Sequence, residues 1–363
     1  MKEMIRKRGA IVMSLALVLS SYAFAQSHIE KRLPIKVVVV TTFEIGEDTG
    51  DSAGEFQNWV EKLPLPQVLP FPQGYHHLRY NPDKQVLGMV SGEGPSRTAS
   101  SITALANDDR FDLSRAYWIL AGTAGIDPHV GSLGSVAWAR YVVDGDLDYE
   151  IDEREIPPGW ETGHVPYGRI RPYQQPRPPI ATSDGTNEFV LNARLADWAF
   201  RLSSARVRLA DDTNLQRLRA RYLGFPKAQL PPSIVEGDVL AAATFWIGSD
   251  LNTWAEKWVS YWSDGHAVFT MSAEEESGYL EALTFLSHVK KVDFDRVMVL
   301  RSASDYTVPY PGETAAQLLA EDNDSPSGFK ESVNSAFDAG SVVVNELVSK
   351  WAIYRDHIPG TQP

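Results

Sequence analysis

The sequence predicts an α/β fold: a single domain in which a central mixed, mostly parallel sheet is flanked by helices. Short apolar runs rich in β-branched residues recur along the chain, which is typical of strands buried on both faces. Stretches with helical periodicity alternate with them, and polar or glycine-rich residues follow each run. Ligands in such folds bind at the carboxyl ends of the strands. The loops after the strands are therefore the candidates for function.

The first element, residues 1–25, is predicted to be a signal peptide. A basic head with Lys2 and Arg6 precedes an apolar run from Ile11 to Leu19, and Ala23-Phe24-Ala25 forms a small-residue cleavage site. The run is shorter than the roughly 20 residues that span a bilayer as a helix. We therefore expect cleavage and a periplasmic or secreted domain at residues 26–363. The alternative is an uncleaved N-terminal anchor.

Charge and cysteine content exclude several functions. The net charge of −13 becomes −16 on cleavage, because the removed segment carries +3. Such an acidic body repels nucleic acid and anionic membrane surfaces. The chain has no cysteine, so it forms no disulfide scaffold and no thiolate metal site.

The strand pattern marks three loops of interest. Strands are predicted at residues 35–41, 85–90, 116–120 and 296–300. The last three lead into turns at residues 91–96, 121–125 and 301–305. The turn containing Ser91 and Gly92 offers amides and hydroxyls at a helix start, which suits an anion or a sugar hydroxyl, although a tight turn alone also requires glycine.

The remaining elements are helices and one irregular segment. Apolar periodicity predicts a helix over residues 191–202 with capping residues at 184–187, and a C-terminal helix over residues 334–351. The proline-rich segment 153–179 is predicted to be an insertion, either a lid or an interface. We expect no bound metal, because no histidines have ligand spacing and the adjacent His76 and His77 should point in different directions.

Taken in order, these loops resemble those of the purine nucleoside permease family, within the nucleoside phosphorylase and nucleosidase superfamily. The most specific stretch covers residues 121–136, and Ser135 stands where the superfamily usually has an acid. The resemblance implies a nucleoside phosphorylase-like fold over nearly the whole mature chain. It also implies a purine nucleoside as the ligand, and a homo-oligomer, since superfamily members commonly assemble.

The resemblance also assigns roles to residues of this chain. Asp305 corresponds to the aspartate that protonates N7 of the departing purine, and Glu275 to the glutamate that binds the ribose hydroxyls. A carboxylate suits the second task because it accepts two hydrogen bonds. Further substrate-binding residues are the small-residue stretch and the aromatic pair that stacks on the base: Thr123, Ala124, Gly125, Phe245 and Trp246.

Two questions remain open at this point. The sugar is attacked either by water, which Glu44 after the first strand would orient, or by inorganic phosphate, which Ser91, Gly92 and Arg97 would bind. Phosphate would then be a co-substrate, and no other cofactor is expected. The acid after the first strand favours hydrolysis. The second question is whether the protein is an enzyme or a nucleoside-binding component that serves a membrane transporter.

Overall fold

The computed structural model describes residues 32–178, 187–324 and 328–361, so the predicted signal peptide lies outside the described residues. Its strands are β1 (Leu33–Pro34), β2 (Val37–Thr41), β3 (Gln67–Leu69), β4 (Leu78–Asn81), β5 (Val86–Val90), β6 (Phe111–Asp112), β7 (Tyr117–Ile126), β8 (Val136–Trp138), β9 (Tyr141–Asp144), β10 (Tyr149–Glu150), β11 (His164–Val165), β12 (Glu188–Val190), β13 (Ile234–Glu236), β14 (Asp238–Ala241), β15 (Phe269–Ala273) and β16 (Val297–Tyr306). Its α-helices are α1 (Gln57–Lys62), α2 (Pro95–Ala106), α3 (Ala193–Arg206), α4 (Thr213–Arg219), α5 (Ser249–Trp262), α6 (Glu276–His288), α7 (Ala315–Asp324), α8 (Phe329–Ser349) and α9 (Trp351–Tyr354). Two short 3₁₀ turns lie at Glu153–Glu155 and Phe294–Arg296.

The large sheet is mixed, and its parallel centre positions the site. β7 pairs in parallel with β2 and with β16, and β2 pairs in parallel with β5. Antiparallel pairs join β15 to β7, β16 to β8, and the outer strands β3, β4 and β12 to their neighbours. The carboxyl ends of β2, β7 and β16 therefore meet at one edge. The predicted α/β class with a central mixed sheet is confirmed.

Two predicted turns are in fact strand. β7 continues through residues 121–125 to Ile126, and β16 continues through residues 301–305 to Tyr306. The predictions were wrong because small and polar residues were interpreted as turn formers. Gly122 is instead needed for space, since a Cβ there would lie 2.3 Å from Nη1 of Arg301 and 2.7 Å from Oε1 of Glu55. The glycines of β7 thus leave room for the large side chains of neighbouring elements.

Helices cover both faces of the sheet. The C-terminal helix α8 packs on β16 and β7 through Phe337, Val343 and Leu347. On the other face α2 and α6 lie against each other, so closely that a Cβ on Gly278 would lie 2.0 Å from the carbonyl oxygen of Pro95. Among the described residues, no helix is both long enough and apolar enough to cross a membrane.

The proline-rich segment packs against the outer face of α5. Tyr261 donates a hydrogen bond to the carbonyl oxygen of Gln174 at 2.9 Å, and the His164 ring stacks on Trp254 with centroids 4.2 Å apart. Arg177 pairs with Asp264 at 2.6 Å. None of its described residues, 153–178, lines the candidate site. The segment therefore braces α5 from outside.

The N-terminus of α3 differs from the predicted one. Its capping residue is Asn192, whose Oδ1 accepts the backbone N–H of Leu195 at 3.3 Å. The predicted caps at 184–186 lie outside the described residues, and Asn187 instead donates to the carbonyl oxygen of Leu147 at 2.9 Å. Asparagine is a strong helix-capping residue, and Asn192 was not recognised because the periodic pattern begins before it.

Candidate active site

A pocket of about 240 Å³ opens where the carboxyl ends of β2, β7 and β16 meet. Loops and strand ends from six parts of the chain contribute to it. Among the described residues, its lining combines carboxyl groups, hydroxyl groups, one guanidinium and three aromatic side chains: Thr42, Phe43, Glu55, Glu93, Thr123, Ala124, Gly125, Thr244, Phe245, Trp246, Ser272, Ala273, Glu274, Glu275, Arg301, Ser304, Asp305 and Thr307.

Glu55 is fixed between the ends of two neighbouring strands. Its Oε2 accepts the backbone N–H and the hydroxyl of Thr42, both at 2.8 Å. Its Oε1 accepts the backbone N–H of Thr123 at 2.6 Å and the hydroxyl at 3.2 Å. Burial raises the pKa of Glu55, and the neighbouring Glu275 adds to the rise, while Arg301 opposes it. The carboxyl is therefore more basic than an exposed glutamate.

Arg301 on β16 is the one guanidinium in the pocket lining, and two carboxylates neutralise it. Its Nη2 donates to Oε2 of Glu275 at 2.7 Å, and its Nε donates to Glu276. Nη1 donates to the carbonyl oxygen of Thr123 at 3.0 Å. Burial alone would lower the pKa of Arg301, but the two glutamates outweigh it and raise the pKa. The guanidinium stays charged, and each of its three nitrogens donates one hydrogen bond.

Asp305 lies at the end of β16, where the register with β7 shifts between Ala303 and Asp305. Such a bulge changes the direction of the side chains that follow it. Burial raises the pKa of Asp305 to about 6, although the Ser304 hydroxyl, which donates to Oδ1 at 2.7 Å, opposes the rise. Behind it, burial and the charge of Asp305 raise the pKa of Asp322 to about 7. Asp305 can therefore hold a proton near neutral pH.

A second protonatable carboxyl stands on the opposite wall. Burial raises the pKa of Glu274 to about 7, and the negative charges of Glu275 and Glu93 add to the rise. The lining thus holds five carboxyl groups and one guanidinium. The interior of the pocket is acidic.

The aromatic wall follows β14. Trp246 is 9% exposed and packs against Trp254 and Phe269 with ring centroids about 6 Å apart (6.2 and 6.1 Å). Phe245 is 50% exposed at the mouth. A flat aromatic ligand entering here would contact the buried ring of Trp246 inside the pocket and the half-exposed ring of Phe245 at its mouth.

The structure brings seven of the predicted residues together in this pocket: Asp305, Glu275, Thr123, Ala124, Gly125, Phe245 and Trp246. Glu44, Ser91, Gly92 and Arg97 do not line it. The small residues Ala124 and Gly125 lie on strand β7 opposite the end of β16, where a Cβ on Gly125 would lie 2.8 Å from Oδ2 of Asp305.

Glu44 organises its own loop instead. Its Oε2 accepts the backbone N–H groups of Phe56 at 2.7 Å and Gln57 at 2.5 Å, and its Oε1 accepts that of Ile45 at 2.8 Å. Both oxygens are thereby occupied by the backbone at the start of α1. Glu55, and not Glu44, is the acid of this loop that lines the pocket.

The predicted anion turn is closed by the protein itself. The hydroxyl of Ser91 lies 3.1 Å from that of Thr98, and Arg97 is exposed. Gly92 has φ +89°, a conformation that favours glycine. The backbone N–H of Gly94 donates to Oε1 of Glu275 at 3.2 Å. The carboxylate of Glu275 thus accepts the hydrogen bond of a backbone amide that a bound anion would need.

His76 and His77 also differ from expectation, because both rings approach Asp48. Nε2 of His77 lies 2.6 Å from Oδ2 and Nε2 of His76 lies 3.6 Å from Oδ1. The rings are 4.0 Å apart, so the prediction that they diverge was wrong. Arg79 donates from Nε to the same Oδ2 at 2.6 Å.

The sequence analysis missed Glu55, Glu93 and Glu274 as site residues, and it did not assign Arg301 to the pocket. Glu55 follows an acidic loop and precedes the apolar residues Phe56 and Trp59. This pattern indicates a helix start, and only the tertiary structure returns Glu55 to the strand ends. Arg301 offered a signal, since an arginine within a buried strand requires buried carboxylate partners.

Comparison with known proteins first defines the class of fold. The chain is similar to the futalosine hydrolase of Helicobacter pylori, with a TM-score of 0.50 at 12% identity over 86% of this chain and 98% of that one. The likeness shows a shared fold, that of the nucleoside phosphorylases and nucleosidases.

The chain belongs to the purine nucleoside permease (NUP) family, whose model matches residues 34–359. It is 28% identical over 319 residues to the purine nucleoside permease of Candida albicans, covering 87% of this chain and 75% of that protein. It is also 28% identical over 295 residues to a probable purine nucleoside permease of Schizosaccharomyces pombe, covering 77% of this chain and 80% of that protein. A nucleoside-related function follows.

Proposed function

We propose that this protein is a purine nucleoside hydrolase, which cleaves the N-glycosidic bond to give free base and ribose. One observation carries the proposal. Asp305 and Glu55 face one acidic pocket in which the guanidinium of Arg301 is already neutralised by carboxylates. The pocket thus offers a proton donor and a base, and in the part of the chain that the structure describes its lining holds no lysine and no second arginine for phosphate.

Asp305 is the general acid. Breaking the C1′–N9 bond leaves electron density on the purine, and a proton placed on N7 neutralises it. A carboxyl with a pKa of about 6 is partly protonated near neutral pH and still a good donor. Ser304 holds Oδ1 through its hydroxyl, which leaves Oδ2 for the base.

Glu55 orients the attacking water and takes its proton. Each of its oxygens accepts one fixed backbone N–H and one rotatable threonine hydroxyl, from Thr42 and Thr123. A water that donates to Glu55 displaces a hydroxyl and leaves the backbone bonds intact. The water oxygen then bonds to C1′ as the C1′–N9 bond breaks, and the electron pair of that bond passes to the purine.

The electrostatics of the pocket oppose phosphorolysis. Glu275 occupies both Nη2 of Arg301 and the backbone N–H of Gly94, which are the groups at which an anion would bind. Entry of a phosphate dianion would bring it beside the buried Glu55 as well, and like charges repel strongly where water is scarce. A neutral water meets no such barrier.

The remaining lining suits a purine nucleoside. Phe245 and Trp246 offer ring faces to the base. Glu275, held by Arg301, can accept hydrogen bonds from ribose hydroxyls through the lone pairs that its two partners leave free. This assignment agrees with the family's name.

A second candidate is a nucleoside-binding component of an uptake system, which the names of the relatives favour. The two functions differ in turnover. A binding component would bind inosine or adenosine by calorimetry and release no base, and Asp305→Asn would leave its affinity unchanged. A hydrolase releases base, and the same variant binds nucleoside without releasing it.

The direct test uses the purified mature protein with inosine and adenosine, with and without inorganic phosphate, and separates free base chromatographically. We expect base release at equal rates in both conditions. Release that requires phosphate would overturn the hydrolase proposal, and absence of release in both would leave the binding candidate. Cell fractionation, comparing the full chain with one that lacks residues 1–25, tests the proposed export.

A further inference from the structure

A second cluster of polar side chains lies where β7 ends against α5. Asp127 directly follows β7, His129 lies two residues further on, and Glu256 projects from α5. Nδ1 of His129 is 2.7 Å from Oδ1 of Asp127 and 3.7 Å from Oε1 of Glu256. One ligand atom from each residue lies within 4.8 Å of those of the other two. Three groups with lone pairs therefore converge on one point.

An unpartnered buried oxygen indicates what the cluster lacks. Asp127 is 1% exposed, and its Oδ1 accepts the backbone N–H of His129 at 2.8 Å. Its Oδ2 is buried and has no hydrogen-bond partner among the described residues. A buried carboxylate oxygen without a partner costs free energy. Glu256 cannot supply the missing hydrogen while ionised, because a carboxylate is acceptor-only.

The carboxyl of Glu256 stands close enough to Asp127 for the two to interact. One carboxylate oxygen of each residue lies within 4.8 Å of the other. Two facing carboxyl groups require a positive charge between them, either a shared proton or a cation. A shared proton between the carboxyl groups, with Nδ1 of His129 hydrogen-bonded to Oδ1 of Asp127 at 2.7 Å, is the arrangement without an ion, and Zn²⁺ titration distinguishes it from metal binding.

We propose that Asp127, His129 and Glu256 bind a divalent transition-metal ion of the Zn²⁺ class. An imidazole nitrogen with two carboxylate oxygens suits such ions better than Mg²⁺ or Ca²⁺, which take oxygen ligands. The side chains of His129 and Glu256 are 56% and 45% exposed, which provides an entry path and room for water in the remaining positions.

The other histidine and carboxylate cluster serves as an internal comparison. Asp48 with His76 and His77 has similar spacing. However, Nε of Arg79 lies 2.6 Å from Oδ2 of Asp48, so a guanidinium already balances that carboxylate. A cation placed there would face Arg79. In both clusters one buried aspartate oxygen lacks a hydrogen-bond partner among the described residues. The Asp48 cluster already contains a balancing guanidinium, whereas the Asp127 cluster holds two carboxyl groups that pair with no arginine or lysine among the described residues.

The proposed metal lies two hydrogen bonds from the candidate active site. Asn252 donates from Nδ2 to Oε1 of Glu256 at 3.0 Å, and its Oδ1 accepts the hydroxyl of Thr307 at 2.6 Å. Thr307 lines the pocket, and the aromatic wall with Trp246 immediately precedes α5. The ion would tie α5 to the end of β7 and so hold this wall. Asp127, His129 and Glu256 are therefore positioning residues. Metal binding by them does not depend on the proposed hydrolysis.

Calorimetric titration of chelator-treated protein with Zn²⁺ tests the proposal. We expect one ion per chain, a higher unfolding temperature with Zn²⁺, and a Co²⁺ derivative whose visible absorption shows nitrogen and oxygen ligation. His129→Gln, chosen because the side chain is half-exposed, should weaken binding by more than the ~10–100-fold typical of losing an outer-shell partner. Glu256→Gln should act alike, and His77→Gln should change nothing.

Absence of saturable Zn²⁺ binding to the parent protein would overturn the proposal. So would unchanged affinity in His129→Gln, which would show that the ion binds elsewhere. Loss of binding in His77→Gln but not in His129→Gln would move the site to Asp48. If Glu256→Gln raises the unfolding temperature of metal-free protein and the parent binds no ion, the carboxyl groups share a proton.

Discussion

Arg301 and Glu275 form a buried ion pair, with Nη2 of Arg301 2.7 Å from Oε2 of Glu275. This pair decides the character of the pocket, because it removes the positive charge that a phosphate would need. The same contact fixes Glu275 where a sugar hydroxyl can reach it. Glu276, which also accepts from Arg301, lies deeper and outside the pocket lining.

Removing the negative charge of Glu275 should open the pocket to anions. In Glu275→Gln, Arg301 loses one of its two ion-pair partners and keeps Glu276, with Glu55 nearby, so we expect inorganic phosphate to inhibit the variant competitively but not the parent. The nucleoside KM should rise about tenfold or more, since a hydrogen bond to a charged group is worth ~1.5–3 kcal/mol. Steady-state kinetics with and without phosphate measure both effects.

Glu93→Gln is the matched control, because Glu93 lines the pocket but is exposed and has no recorded contact with Arg301. It should leave phosphate insensitivity unchanged. Phosphate inhibition of the parent at the same concentration would contradict the account.

Replacing the general acid should abolish turnover without unfolding the protein. Asp305→Asn keeps the shape but carries no transferable proton, so we expect kcat to fall by ~10²–10⁴-fold, the usual contribution of acid–base catalysis. Nucleoside affinity, measured by calorimetry, should stay within a few-fold of the parent value. An unchanged kcat would remove Asp305 from the mechanism.

The pH profile follows from the same group. Asp305 acts in its protonated form and Glu55 in its ionised form, so kcat/KM should fall as pH rises through the Asp305 pKa of about 6 and should also fall at acid pH as Glu55 becomes protonated. Because the pKa of Asp305 is higher in the folded than in the unfolded protein, the proton on Asp305 stabilises the folded state. This stabilisation is fully present below the ordinary pKa of 3.8 and is lost as pH rises through about 6. A basic limb that persists unchanged in a slow Asp305→Asn enzyme would assign the titration to another group.

Glu55 should contribute to both turnover and stability. In Glu55→Gln, the amide nitrogen must face the backbone N–H of Thr42 or Thr123, which leaves one buried donor unpaired at a cost of ~1–3 kcal/mol. Loss of the base should lower kcat by ~10²-fold or more. Denaturant unfolding and kcat report the two effects.

Asp51→Asn, an exposed carboxylate in the same loop, is the control. We expect kcat within a few-fold of the parent value. If Glu55→Gln loses stability and keeps full kcat, Glu55 has a structural role alone.

The aromatic rim should affect binding of the base. Phe245 is half-exposed, so Phe245→Ala should cost little stability. Losing an aromatic pair worth ~0.5–1.5 kcal/mol should raise KM by up to about tenfold with kcat nearly unchanged. A fall in kcat at constant KM would show that the ring acts on the transition state instead.

The sequence pattern located the strands that build the pocket, because β-branched runs such as Val37–Val40 are unambiguous. It also located Asp305 and Glu275 through the order of the loops. It misjudged the small-residue segments of β7 and β16, since glycine serves both turns and close approach. Residues 122 and 125 are small because Arg301, Glu55 and Asp305 need the space.

Sequence alone could not choose between Glu44 and Glu55. Both are acids of the same loop, and Glu44 is the one closer in sequence to the first strand. Which carboxylate returns to the strand ends depends on how the loop folds, and here the backbone amides of Phe56 and Gln57 retain Glu44. The cluster of Asp127, His129 and Glu256 was equally hidden, because Glu256 lies on a helix far along the chain from Asp127.

The sugar product formed in the presence of phosphate tests the central claim most directly. Purified protein incubated with inosine and excess inorganic phosphate should yield hypoxanthine and free ribose in equal amounts, at the rate observed without phosphate. Formation of ribose 1-phosphate would contradict the account, because Glu275 and Arg301 would then not exclude the anion from the pocket.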